Sequence, residues 1–263
     1  MEKIVIIPTY NEKENIEAII KAIFSQGKNF HILVIDDGSP DGTADIVKGL
    51  QQSYLGLLFL EERKGKLGLG TAYIHGFKWS LSKGYRYIFE MDADFSHSPT
   101  DLERLYLACK ADGADVAIGS RYVKGGGTVN WPWGRRFLSK GGSLYTRIIT
   151  WIPVHDTTAG FVCYRREVLE TINLDQIVFL GYAFQIEMKF ASWKLGFVIK
   201  EVPIIFEDRK FGSSKMHKGI VKEGILGVLR LRWYSLFKNY RNKVKNTGVV
   251  FPSVSRDEVI AKP

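Results

Sequence analysis

Cysteine is scarce: Cys109, in a helical pattern, and Cys163, in an apolar strand-like run, are the only two in 263 residues. Two thiols so placed exclude a disulfide framework and a cysteine metal cluster, and they point to a reducing compartment. Long apolar runs are also missing. No stretch approaches the ~18 apolar residues of a membrane span, and because Met1 opens directly into a strand-like segment no secretory leader is expected. Proline is sparse, and no Pro- or Ser-rich linker divides the chain, so one large α/β core is expected. Glycine is lacking where a nicotinamide-binding fold needs it. That fold requires a Gly-rich turn after its first strand; here the turn is Pro8-Thr9-Tyr10-Asn11-Glu12. The glycines of 65–70 follow the third strand, with no acidic ribose ligand at the usual spacing, which sets the dehydrogenase class aside.

What is present is an alternation of strands and helices. Ile4-Val5-Ile6-Ile7 stops at Pro8 and gives way to an amphipathic helix that reaches about Phe24. A second apolar run, 31–35, ends in Asp36-Asp37-Gly38-Ser39-Pro40-Asp41-Gly42-Thr43, where turn residues and a Thr cap start another helix. A third, 57–60, leads through a basic, glycine-containing segment into a helix over 71–82, and a fourth, 85–91, ends in Asp92-Ala93-Asp94. This order predicts right-handed βαβ units and a mostly parallel central sheet flanked by helices, with ligands at the carboxyl edge where all four polar clusters fall. Because a strand alternates its side chains, Asp92 and Asp94 are expected to project to one side, toward a hard divalent cation such as Mg²⁺ or Mn²⁺ bridging to phosphate oxygens. A pair of aspartates at a strand end also serves as a turn former or helix cap, so the motif gains meaning only from its neighbours.

The net charge of +9 is concentrated near the C-terminus: residues 209–245 hold eleven Lys and Arg against one acid, Glu223, a net of +10. Among these cations Ile225-Leu226, Val228-Leu229, Leu231, Trp233-Tyr234 and Leu236-Phe237 form an apolar stripe, which suits a helix over about 218–240 lying on an anionic membrane surface. An ordinary packed helix with a solvated basic face has the same pattern. Nucleic acid is not expected as a partner, because no RNA-recognition signature is present and the rest of the chain sums to about −1.

Six segments occur in the order and spacing of a known family: Pro8 to Glu12, Asp36 to Thr43, Gly68-Leu69-Gly70-Thr71-Ala72, Asp92-Ala93-Asp94, Gly119-Ser120-Arg121-Tyr122, and Asp208-Arg209 through Ser214-Lys215. Over roughly residues 1–235 the chain resembles the polyprenyl-phosphate (dolichyl-phosphate) mannosyltransferases, inverting family 2 glycosyltransferases with a GT-A fold. The resemblance implies a catalytic domain over 1–235 and a polar tail over 241–263. It implies transfer of mannose from GDP-mannose to a polyprenyl monophosphate, giving a β-linked polyprenyl-phosphate mannose. The expected setting is the cytoplasmic face of a membrane, with peripheral attachment and an anchoring partner subunit as the alternative anchor. The same chemistry with UDP-glucose or another sugar nucleotide, and a non-catalytic sugar-nucleotide-binding subunit, are the alternative functions.

Residue roles follow from the resemblance. Pro8, Tyr10 and Glu12 are assigned to the nucleoside, and an aromatic face with a carboxylate acceptor suits a purine bearing N–H donors, although Glu12 could equally cap the following helix. Ile35 and Asp37, preferred over Asp36, form the second nucleoside contact, and Asp41 is a turn former. Asp92, Ala93 and Asp94 contact the sugar nucleotide and the metal, with Asp94 the principal ligand; Ser96 stands where some relatives place Gln, a weaker ligand position that a water could fill. His97 is either a base or ligand, or part of the loop. Arg121, Arg209 and Lys215 handle phosphate and, with Asp94, carry the catalysis; Arg135 and Arg136, after the glycines 125–127 that are expected to be flexible, are clamps for the acceptor phosphate. Asp156 lies in an acceptor-side segment and Glu187 in a segment where hydroxyl-directed relatives keep a catalytic acid, but neither is assigned a catalytic role. The acceptor oxygen is already anionic, so no protein base is required. The segment 210–218 is expected to act as a lid.

Overall fold

Ile4, Val5, Ile6 and Ile7 are all fully buried, as expected of a strand covered on both faces. The computed structural model describes residues 1–27, 29–181, 183–209 and 219–242, with only the backbone over 219–223. Lys215, the segment 210–218 and the tail from 243 onward lie outside the described residues. The first half of the chain runs β1 (Lys3–Thr9), α1 (Ile16–Phe24), β2 (Phe30–Asp36), α2 (Thr43–Gln51), β3 (Leu58–Glu62), α3 (Leu69–Ser82), β4 (Tyr87–Glu90) and α4 (Asp101–Lys110). It continues with β5 (Val116–Ser120), β6 (Gly127–Val129), α5 (Trp133–Thr150), β7 (Val162–Arg165), α6 (Arg166–Thr171), α7 (Ala183–Lys194), β8 (Ile199–Pro203), β9 (Ile205–Glu207) and α8 (Gly219–Tyr234).

The main sheet has the order β3-β2-β1-β4-β7-β5-β8, and every pairing is parallel except those of β7, which is antiparallel to both its neighbours. Side-chain alternation divides the core in two. Ile4, Ile6, Leu33, Ile35 and Ile88 face one cluster with α3, α6, α7 and α8, while Val5, Ile7, Ile32, Val34 and Phe89 face the other with α1, α2 and α4. Local sequence explains the helices that close these layers: Ile16, Ile19, Ile20 and Ile23 fall at helical spacing and are all buried. Gly70 begins α3 against α7, where an added Cβ would come within 2.8 Å of the Phe184 ring, so close packing requires glycine there.

Three expectations change in detail. β4 ends at Glu90, so Asp92 and Asp94 lie beyond the strand in an irregular turn with Phe95 at φ 59°, and strand alternation is not what orients them. The glycines 125–127 are held rather than slack: Gly127 enters β6, which pairs with β9, and a Cβ on Gly126 would meet the Ser120 carbonyl at 2.5 Å. The C-terminal helix stops at Tyr234 instead of about 240, because the chain turns back to bury Tyr240 against Phe190 and to bond Asn242 N to the Thr171 carbonyl at 2.7 Å.

Candidate active site

The carboxyl ends of β1 and β2 are joined by their own polar side chains. Asp36 accepts hydrogen bonds from Thr9 Oγ1 at 2.8 Å and from Ser39 N and Oγ at 2.8 and 2.6 Å, closing the turn between the two strand ends. Asp37 accepts from Arg63 Nε at 2.7 Å and Leu67 N at 3.1 Å, so its carboxylate holds the basic loop that follows β3. Asp41 bonds Thr43 N and Oγ1 at the start of α2, the turn role expected of it. Beside this frame Glu12 accepts from Asn15 Nδ2 at 2.9 Å, and its backbone N–H donates to Thr43 Oγ1 at 3.1 Å. The half-buried Tyr10 ring lies 5.0 Å below Lys66 Nζ, next to the half-buried Pro8, while Ile35 is fully buried in the core.

The acidic half lies at the end of β4. Asp92 accepts from the Tyr73 hydroxyl at 3.3 Å, and burial together with the Asp94 charge pushes its carboxyl up to about 7. Asp94 accepts from Ser96 N at 3.0 Å and pairs with the Arg209 guanidinium at 2.9 Å. Ala93 and Ser96 are buried beside them, and the Ser96 carbonyl bonds Glu207 N at 3.2 Å, which fixes the chain leading into Arg209. Thus the near neighbours Asp92, Asp94 and Ser96 and the sequence-distant Arg209 form one cluster.

His97 is a packed ring. It stacks on Phe161 at 5.0 Å with Phe206 edge-on at 5.1 Å, its Nδ1 has no partner among the described residues, and burial pulls its pKa down to about 4. A buried neutral histidine favours the deprotonated fold. As pH falls from 6.5 toward about 4, the unfolded chain takes up a proton that the folded chain does not, so stability present above 6.5 is lost in that window. The loss should be roughly 3 kcal/mol. Urea titrations at pH 7 and pH 4.5 should show His97→Phe, which keeps the stack, losing less stability than wild type; an equal loss in both proteins would assign the acid sensitivity elsewhere.

The basic half gathers at the end of β5. Arg121 is gripped by the fully buried Asp156, Nε to Oδ2 at 2.7 Å and Nη2 to Oδ1 at 2.6 Å, with a further bond from Nη2 to Thr158 Oγ1 at 3.0 Å. The guanidinium also lies over the Tyr122, Trp131 and Phe206 rings. Glu201 on β8 supports Asp156 from behind, accepting from Asp156 N at 2.9 Å and from Ser120 Oγ at 2.7 Å. Arg135 pairs with Asp208 at 2.8 Å and stacks over Trp131, whereas Arg136 is exposed and bonds the Thr128 hydroxyl at 2.6 Å and the Thr128 carbonyl. Glu187 faces away from the site: it accepts from Val178 N and Phe179 N and pairs with Lys238, a structural carboxylate.

Sequence reasoning missed the partners. Asp156 was visible as a segment but not as the clamp on Arg121, from which it is 35 positions removed. A second buried set, Glu90, Gln185 and Lys189, gave no signal at all. In it, burial raises the Glu90 carboxyl and lowers the Lys189 ammonium, each charge opposing the other's shift.

The donor set at Asp92 and Asp94 fits a hard divalent cation. Two adjacent carboxylates, one with its pKa raised by the other, carry negative charge that the Tyr73 hydroxyl and Arg209 neutralise only in part. Among the described residues no cluster of three or more His, Cys, Asp or Glu is arranged to hold a metal, so a cation here would complete its shell with oxygens from elsewhere, such as a diphosphate.

The family model "Glycosyl transferase family 2" matches residues 4–172. The chain is 47% identical over 225 residues to a polyprenol monophosphomannose synthase of Mycolicibacterium smegmatis, covering 86% of this chain and 84% of that one. It is 44% identical over 242 residues to an undecaprenyl-phosphate mannosyltransferase of Micrococcus luteus, covering 90% and 98%. Among solved structures, glucosyl-3-phosphoglycerate synthase from Mycobacterium tuberculosis, crystallised with Mn²⁺, UDP and glucosyl-3-phosphoglycerate, superposes with a TM-score of 0.65 at 18% identity over 88% of this chain and 79% of that one. The mannosyltransferase PcManGT from Pyrobaculum calidifontis, in complex with GDP-Man and Mn²⁺, gives 0.56 at 17% identity over 90% and 64%. At these identities the structures show the GT-A fold alone. The sheet order, the acidic turn after β4 and the match over most of the chain lead to one conclusion: this protein belongs to glycosyl transferase family 2.

Proposed function

We propose that the protein transfers mannose from GDP-mannose to a polyprenyl monophosphate, with inversion at the anomeric carbon, at a membrane surface. The observation that carries this reading is the 47% identity, over 84% of its length, to a polyprenol monophosphomannose synthase. In this reading Tyr10 stacks on the guanine, Glu12 accepts from its N–H donors, and Pro8, Ile35 and Asp37 shape the nucleoside pocket. Asp94, with Asp92, Ala93 and Ser96, holds the sugar diphosphate and a Mg²⁺ or Mn²⁺ ion. The ion would supply charge neutralisation for the departing GDP. Arg209, already beside Asp94, and Lys215 bind the donor's phosphates, while Arg121, Arg135 and Arg136 receive the acceptor's phosphate. Holding two polyanions in line against their repulsion is the main task of these cations. The acceptor oxygen is anionic and needs no base, which agrees with Glu187 and His97 both being committed to packing. A panel of GDP- and UDP-sugars with a short polyprenyl phosphate tests the donor: GDP-mannose should be turned over, and selective use of UDP-glucose would favour the alternative donor.

The membrane part of the proposal rests on two helices rather than one. No described helix is long and apolar enough to cross a membrane. On α8, Ile225, Leu226, Leu229 and Trp233 are exposed, followed by Leu236 and Phe237. On α5, Trp133, Phe137, Leu144 and Ile148 are exposed as well. The two helices lie together, with the Tyr145 hydroxyl bonded to the Ile225 carbonyl at 3.0 Å and Arg232 over the Trp151 ring. α5 carries Arg135, Arg136, Lys140 and Arg147 and no acid, and Arg230 and Arg232 add to the same surface. Exposed aromatics among cations suit an anionic lipid surface, at about 1 kcal/mol per cation near the headgroups. Wild type should float with anionic vesicles and less so with neutral ones or in high salt, and Arg230→Glu with Arg232→Glu should reduce flotation and transfer together. If wild type ignores lipid charge and the double variant floats and transfers equally well, α8 is structural and an anchoring partner subunit is the alternative.

A further inference from the structure

Beneath the acidic turn runs a chain of buried polar groups that phosphate binding and metal binding leave unused. Glu90, the last residue of β4, is fully buried; its Oε2 accepts from Gln185 Nε2 at 2.8 Å, and its Oε1 has no partner among the described residues. Gln185 Oε1 accepts from Lys189 Nζ at 3.2 Å. The same ammonium donates to the Ala159 carbonyl at 2.6 Å and to the Gln185 carbonyl at 3.2 Å, and Lys189 reaches no solvent at all. All three ammonium donors are therefore used, each on an uncharged acceptor.

Those bonds connect the two halves of the site. Ala159 follows Asp156 and Thr158, which hold Arg121, and precedes Gly160, where a Cβ would lie 3.9 Å from Asp92 Oδ2 and 3.8 Å from Gln185 Nε2. On the other side, Glu90 stands two residues before Asp92 on the same chain segment. An apolar side chain would satisfy the packing of α7, whose residues Ala183 to Ser192 are all buried, without the penalty of a desolvated charge. A charge kept in such a position, with its donors aimed at a loop carbonyl and at the group that holds Glu90, serves placement.

We propose that Lys189 and Gln185 are positioning residues for glycosyl transfer. They fix the distance between the acidic turn at Asp92 and Asp94 and the segment 156–160 that orients Arg121, and thereby the alignment of donor diphosphate and acceptor phosphate. The inference rests on the reading of the protein as a polyprenyl-phosphate mannosyltransferase. Misplacement of reacting groups by about 1 Å costs on the order of a hundredfold in rate, so the effect belongs in kcat. The nucleoside loops after β1 and β2 make none of these bonds, so donor KM should stay within about threefold of wild type.

The test uses Lys189→Met combined with Glu90→Gln, which removes both buried titratable groups, assayed beside each single variant for thermal midpoint, kcat and donor KM. The expected result is a double variant more stable than Lys189→Met alone, with kcat still down by roughly 10- to 100-fold because the Ala159 carbonyl has lost its tether. Recovery of both stability and kcat in the double variant would make Lys189 a mere counter-charge and overturn the proposal. Gln185→Met, which leaves Glu90 and Lys189 in place but cuts the side-chain bridge between them at both ends, is the second arm, and a wild-type kcat in it overturns the proposal whatever becomes of the Lys189 variants. Amide hydrogen exchange over 156–161 gives a readout independent of turnover: it should quicken in Gln185→Met while β1 and β2 remain protected, and unchanged exchange counts against the tether. Failure of wild type itself to transfer mannose would instead refute the function on which the inference rests.

Discussion

Asp94→Ala should lower transfer at saturating Mg²⁺ or Mn²⁺ by at least about a thousandfold, roughly 4 kcal/mol of transition-state stabilisation, while the chain stays folded. Asp94 is the buried carboxylate that both faces Arg209 and stands beside Asp92, so on the proposed reading its loss removes a charged ligand of the ion and leaves Asp92 as the remaining carboxylate of the pair. The folding cost should be small because the Arg209 side chain keeps 23% of its surface in solvent and can rehydrate when its partner goes. Near wild-type turnover in the variant, with circular dichroism unchanged, would remove Asp94 from the catalytic set. Loss of fold would show instead that the Arg209 pair is structural.

Asp156→Ala should destabilise the protein by about 3 to 5 kcal/mol, because it leaves the Arg121 guanidinium in place with its bidentate partner gone. In a chain of this size that corresponds to a thermal midpoint lower by roughly 10 °C. Burial alone would raise the Asp156 carboxyl, but the Arg121 guanidinium outweighs it and holds the pKa below the ordinary value of 3.8. The sign follows: this contribution is fully present above that ordinary value and is lost as pH falls through the lower folded-state pKa. Transfer should fall as well, since Arg121 loses the orientation that the clamp provides. A variant as stable and as active as wild type would mean that Arg121 is positioned by Thr158 and the surrounding rings without Asp156.

Much of the site frame was legible because the strands that build it are continuous apolar runs ending in polar clusters. β1, β2 and β4 needed no partner information to be found, and the acidic turn follows directly from the last of them. The antiparallel insertion of β7 between β4 and β5 was not legible, since nothing in Val162 to Arg165 marks strand direction. α5 was hidden for a different reason. It buries Ser143, Thr146 and Thr150 and exposes Trp133, Phe137 and Ile148, so its amphipathic pattern is inverted and does not mark a helix with an apolar buried face. Lys189 gave no signal because α7 is buried on every side over ten residues, leaving no polar face against which a lone lysine would stand out.

Radiolabelled GDP-mannose incubated with wild-type protein, a short polyprenyl phosphate and Mg²⁺ or Mn²⁺ tests the central claim most directly. The label should move into the organic phase as a single mannosyl-phospholipid with a β linkage, chelator should stop the transfer, and labelled UDP-glucose should give no such product. Release of free mannose without lipid product, an α-linked product, or transfer from UDP-glucose in place of GDP-mannose would contradict it.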